Sequence, residues 1–206
     1  MRPLRRASLL ALVAVALGAA PIGAQTPNPT PLAGFAGQRV AVLPLQLLAA
    51  DTSEWGRGGS PTALKRAFDD SLTALLTERG IGTAWAYAAD ILRGAKRNPT
   101  YAGDPTALGA QLLRFDTKDG AVGDPFASRL RTQLALADAR YALVPVRVLL
   151  QPKGRARRAV LVVALIDGRR SVILWSGEVT SDETPSLDAA TLGSLARRVA
   201  DLVVSN

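Results

Sequence analysis

The sequence predicts an α+β fold: one domain on a mixed sheet of about five strands, ending in a three-strand antiparallel meander and packed by about four to five helices. Three observations predict it. The runs YALVPVRVLLQ (141–151), RAVLVVALI (158–166) and SVILWSGEV (171–179) are apolar, β-branched and separated by short polar breaks. A strand-like run at 39–47 precedes a helix that carries Leu64, Phe68, Leu72, Leu75 and Leu76 on one face. Finally, Ser60-Pro61, Asp104-Pro105, Asp124-Pro125 and Thr184-Pro185 each set a capping residue before proline, ahead of a periodic apolar segment.

Along the chain, residues 1–24 read as a secretory signal peptide. Arg2, Arg5 and Arg6 form a basic start, an apolar run follows at 7–20, and Pro21 and Gly23 break it before a small residue at Ala24. Its removal takes the formal charge from +8 to +5, mildly basic and short of a dedicated nucleic-acid binder. Residues 25–37, rich in Pro, Gly and Thr, read as an extended leader, and 38–206 as the domain. The expected location is therefore the periplasm or the outside of the cell.

The strand at 39–47 leads through a Gly-rich loop to the helix at Pro61, where Lys65, Arg66, Asp69 and Asp70 lie off the apolar stripe. Gly80 ends that helix. Residues 81–87 suggest a short strand and 88–96 a helix. The remaining cap-proline pairs announce helices bearing Leu108 and Leu112, then Phe126, Leu130 and Leu134, then Leu192, Leu195, Val199 and Leu202. In the meander, Asp167-Gly168 predicts a tight hairpin turn. The run 159–166 is apolar throughout, the mark of a central strand covered on both faces. Pro145 cannot donate to a ladder, so its strand lies at an edge or carries a bulge.

Composition excludes chemistry. The 206 residues contain no His and no Cys. Ser-His catalysis, an imidazole base, a conventional zinc site and disulfides are all ruled out. No thiol is present to carry a lipid. Asp116, Asp119 and Asp124 miss the calcium-loop spacing. Asp69 and Asp70, adjacent on a helix, diverge by about 100° and do not form an acid/base pair. No cofactor, metal or catalytic residue is expected.

The segments RVAVLPL (39–45), LTALLTERGI (72–81), LALADARYALVPVRV (134–148) and VVALIDGRRSVILWSGEV (162–179), in this order, resemble a periplasmic α/β module. That module is the type found in the TolB N-terminal domain, in CsgG and in penicillin-binding-protein activator lipoproteins. The resemblance spans most of the chain and rests on structural segments, none of them a catalytic signature. It implies a non-enzymatic envelope protein that works through a protein partner.

Two surfaces are candidates. Lys153, Arg155, Arg157 and Arg158, with Trp55 in the loop 54–62, are candidates for a partner surface. Arg169 and Arg170 belong to the opposite turn, one strand length away, with Arg140 near them. Nucleic acid is not expected, since the cations are split and no aromatic lies among residues 151–160. The second candidate, the alternative to a partner-binding role, is a small-molecule or anion site at Arg57, Gly58, Gly59 and Ser60, where a Gly-rich loop meets a helix start. Neither a Walker motif nor a complete GxGxxG is present there.

Overall fold

The computed structural model describes residues 30–49, 60–108, 120–153 and 156–204, and among these described residues are six strands and five α-helices. The strands are β1 (Val40–Val42), β2 (Leu47–Ala49), β3 (Trp85–Ala86), β4 (Tyr141–Lys153), β5 (Ala156–Asp167) and β6 (Val172–Thr184). The helices are α1 (Pro61–Leu76), α2 (Ala88–Arg97), the single turn α3 (Pro99–Ala102), α4 (Phe126–Leu136) and α5 (Ala189–Val203). The sheet order is β3-β1-β4-β5-β6, with β2 also paired to β4. Strands β1, β2 and β3 run parallel to their neighbours, while β4, β5 and β6 form the antiparallel meander. The expected mixed sheet in a single α+β domain is the fold observed.

Two layers of side chains cover the sheet. On one face Leu64, Phe68, Leu72 and Leu76 of α1 and Leu192, Leu195, Val199 and Val203 of α5 pack on Leu161, Val163 and Leu165. On the other, Ile91, Leu108, Phe126, Leu130 and Leu134 pack on Ala142, Val144, Ala164 and Ile166. Strand β5 feeds both layers through its period-two alternation, which is why its sequence is apolar at nearly every position.

Pro145 sits in the central strand β4 rather than at an edge, and the β4–β5 register slips between Pro145 and Arg147. The bulge changes which face successive residues meet: Val144 and Val146 face the α2/α4 layer, whereas Val148 faces α1 and α5. The first strand is correspondingly broken. Instead of one run over 39–47, β1 and β2 flank an interval at 43–46, where Leu43 N–H and Gln46 N–H still donate to Leu143 O and Pro145 O.

Several caps differ from expectation. Ser60 caps α1 as predicted, its Oγ accepting from Ala63 N–H at 3.2 Å. Gly80 closes the following turn at φ 86°, a conformation that favours glycine. At the last helix, however, Asp188 is the cap, accepting from Thr191 N–H at 2.8 Å. Thr184 still belongs to β6, pairing with Arg157 of β5, and its hydroxyl donates to Ser186 O and meets Thr191 Oγ1 rather than capping the helix. Asp104 makes a local turn with Thr106, and no helix begins at Pro105. Asn98-Pro99, not singled out in the sequence, does start a helical turn.

Residues 30–37, expected within an extended leader, pack as part of the domain. Leu32 is fully buried and its N–H donates to Leu202 O, while Phe35 meets Tyr141 edge to face at 5.1 Å. The signal-like segment lies outside the described residues. Among the described residues no helix is long and apolar enough to cross a membrane.

Candidate functional site

The two ends of the β4–β5–β6 meander carry different chemistry. At the β4–β5 end, Gln151 pairs with Arg158, Pro152 with Arg157 and Lys153 with Ala156. Arg155 and the side chain of Lys153 lie outside the described residues. Arg157 is exposed and Arg158 half-buried, and as strand neighbours they project to opposite faces. The structure therefore does not bring those two arginines onto one surface.

Of the loop candidates, Trp55, Arg57, Gly58 and Gly59 lie outside the described residues, and Ser60 serves as the α1 cap. Beyond that cap is a cleft of about 530 Å³ at the carboxyl end of β1, lined by Pro44, Leu45, Lys65, Asp69 and Leu92 among others. Its charged groups are already engaged. Asp69 Oδ1 accepts from Leu45 N–H at 2.9 Å, and Lys65 Nζ donates to Gln46 O. Together they serve backbone groups exposed where the first strand breaks. Burial pushes the Asp69 carboxyl up to about 7, against the Leu45 hydrogen bond, and burial also lowers the Lys65 ammonium.

At the opposite end the β5–β6 turn is built around Asp167, whose side chain is 2% exposed. Its Oδ2 accepts from Arg140 Nε at 3.2 Å and Nη2 at 2.7 Å; its Oδ1 accepts from the backbone N–H groups of Arg169 at 3.0 Å and Arg170 at 3.2 Å. Burial alone would raise this carboxyl, but the Arg140 hydrogen bonds and the two turn amides outweigh it and hold it below the ordinary range. The connection is thus a four-residue turn over 168–171, with Ser171 at φ 52°, not the two-residue Asp-Gly hairpin expected. Gly168 fits because it has no Cβ: one there would lie 2.1 Å from Leu134 Cδ1.

Around this turn opens a cleft of about 510 Å³. Arg39, Arg131, Arg140 and Arg169 line it, with Asp138 the one carboxylate among its lining residues. The guanidinium of Arg140 also stacks 4.9 Å above the Tyr141 ring. The sequence places Arg140, Arg169 and Arg170 at this end. It does not reveal Arg39 and Arg131, which arrive from β1's leading residue and from α4.

The third feature is an edge. Ala121 bridges Val172, with Ile173 N–H donating to Gly120 O at 2.7 Å, and covers only the start of β6. From Leu174 to Thr184 the outer side of β6 pairs with no strand among the described residues. Leu174 is 40% exposed, Trp175 is half-buried, and Ser176, Glu178 and Thr180 are exposed. Trp175 lies across Gly177, where a Cβ would come within 2.6 Å of its ring. Among the described residues no group of three carboxylates is placed to hold a metal ion.

No family model matches the sequence, and a search of curated proteins returns no match. Solved structures similar to this chain include lipoprotein GNA1162 from Neisseria meningitidis, at 17% identity and a TM-score of 0.43, covering 80% of this chain and 96% of that one. Escherichia coli LpoB matches at 14% identity and 0.41, over 89% and 86%. A PelC dodecamer from Paraburkholderia phytofirmans matches at 15% and 0.41, over 83% and 91%. Neither TolB nor CsgG is among these three. All three scores fall below 0.5.

Proposed function

We propose that the protein is a non-catalytic module of the cell envelope that binds a protein partner by accepting its strand along the open side of β6. The observation that carries this reading is the edge itself. Strand β6 is 13 residues long, hydrogen-bonded to β5 on one side and open on the other from Leu174 onward. Exposed edges are commonly shielded by Lys, by Pro, by bulges or by shortness; β6 contains no Lys, Arg or Pro, and between its two register shifts against β5 it runs regularly from Trp175 to Thr180. Such an edge offers a row of backbone donors and acceptors to an extended segment. Glu178 is exposed midway along this edge, and Asp182, in an ion pair with Arg198, lies further along it, which favours an incoming strand with a basic residue opposite Glu178. The envelope setting follows the signal-like start and the resemblance of the sequence to periplasmic modules.

The test is recovery of a partner from envelopes by the tagged mature protein, with Glu178→Lys/Thr180→Lys as the edge variant and Arg93→Lys on α2 as control. A specific protein retained by the parent and control but lost with the edge variant supports the reading. Retention by all three sinks it.

A further inference from the structure

We propose that the arginine-lined cleft at the β5–β6 turn is a phosphoryl-binding site, taking the phosphate of a soluble ester or of a lipid headgroup. This goes beyond the partner role of β6 and stands on separate residues. The cleft presents four guanidinium groups and one lining carboxylate in a volume of about 510 Å³, room for a phosphate and part of the organic group it is attached to.

The arginines differ in how far they are committed. Arg140 is held by two hydrogen bonds to buried Asp167. Arg39 and Asp138 meet at 3.6 Å with side chains 67% and 88% exposed, a surface pair of small worth that a ligand displaces at little cost. Arg131 lies 3.9 Å from Asp124, at the limit of an ion pair, and also donates to Ser171 Oγ and Ser128 Oγ at 3.1 Å. Arg169 pairs with no carboxylate among the described residues, and its backbone is fixed by Asp167. Positive charge is thus in excess and is mounted on a turn ordered by a single buried acid.

A carboxylate ligand offers these guanidinium groups two oxygens and a single charge. A phosphoryl group has up to three terminal oxygens and a second charge, and so engages several guanidinium groups at once. Tyr141 and Leu134 supply an apolar wall for the attached group.

The experiment follows backbone amide NMR shifts of the folded protein during titration with inorganic phosphate, sodium acetate and sodium chloride at matched ionic strength. Saturable shifts at Tyr141, Gly168 and Arg169 with phosphate, at least tenfold weaker with acetate and chloride, are expected. The Arg39→Ala/Arg169→Ala variant should lose them at least tenfold, and Arg93→Ala should keep them. A second arm measures co-sedimentation with phosphatidylcholine vesicles containing phosphatidic acid. Sedimentation competed by free phosphate assigns the headgroup as source; phosphate binding without sedimentation assigns a soluble ester. Absence of saturable shifts, equal response to acetate, or equal loss in Arg93→Ala would overturn the proposal.

Discussion

Arg140, the residue before β4, is joined to Asp167 at the end of β5 through two hydrogen bonds, at 2.7 and 3.2 Å, onto a single carboxylate oxygen. The other oxygen of Asp167 takes the Arg169 and Arg170 amides. One buried acid therefore fixes a turn, anchors one cation and holds the backbone that carries two more. Its replacement, Asp167→Ala, should cost on the order of 1–3 kcal/mol through the amides left without an acceptor. Chemical denaturation measures the loss, and selective broadening of the amide signals at 168–171 would locate it.

Gly168 is predicted to be intolerant of even one methyl. Alanine there places its Cβ 2.1 Å from Leu134 Cδ1 and 3.3 Å from Arg140 O, and Leu134 is itself buried. Gly168→Ala should destabilise the protein by about 1–3 kcal/mol. Gly123→Ala, where nothing lies within 4 Å of the added atom, is the comparison and should change stability much less.

Asp69 gives the protein a pH dependence opposite in sign to that of Asp167. The folded carboxyl is pushed to about 7, above the usual carboxylate value of 3.8 that applies in the unfolded chain. Between those two values the folded state retains a proton that the unfolded state has released, so this contribution falls as pH rises from about 4 to about 7. Asp167, held below its ordinary value, contributes above that value and loses the contribution as pH falls through the folded one. Asp69→Asn retains an oxygen for Leu45 N–H and should flatten the decline between pH 4 and 7, a difference of a few kcal/mol at most. Melting curves at matched ionic strength across that range test it; an unchanged slope contradicts the assignment.

The sheet was legible wherever one residue pattern answered to one physical demand. The unbroken apolar run of β5 announced a strand covered on both faces, and Pro145 announced a bulge or an edge because it cannot donate. What stayed hidden depends on contacts between distant segments. Thr184-Pro185 has the look of a helix start, yet Asp188 has the free carboxylate and the correct spacing to Thr191. Asp167-Gly168 has the look of a two-residue turn, but a carboxylate that accepts from two following amides favours a longer one. Leu32 looks like part of a leader until α5 offers it Leu202. The arginine cleft has the same character: Arg140 and Arg169 are close in the hairpin, while Arg39 and Arg131 reach it only through tertiary folding. The open side of β6 is a property of the sheet order, which no local pattern states.

The most direct test of the central claim is a photo-crosslinking scan in living cells, with the reactive residue placed in turn at Leu174, Ser176, Glu178 and Thr180, and at Arg93 on α2. The account predicts adducts to one and the same protein from the β6 positions, diminished by Glu178→Lys when the probe is at Thr180, and none from Arg93. Adducts absent along β6, or equally abundant from Arg93, would contradict it.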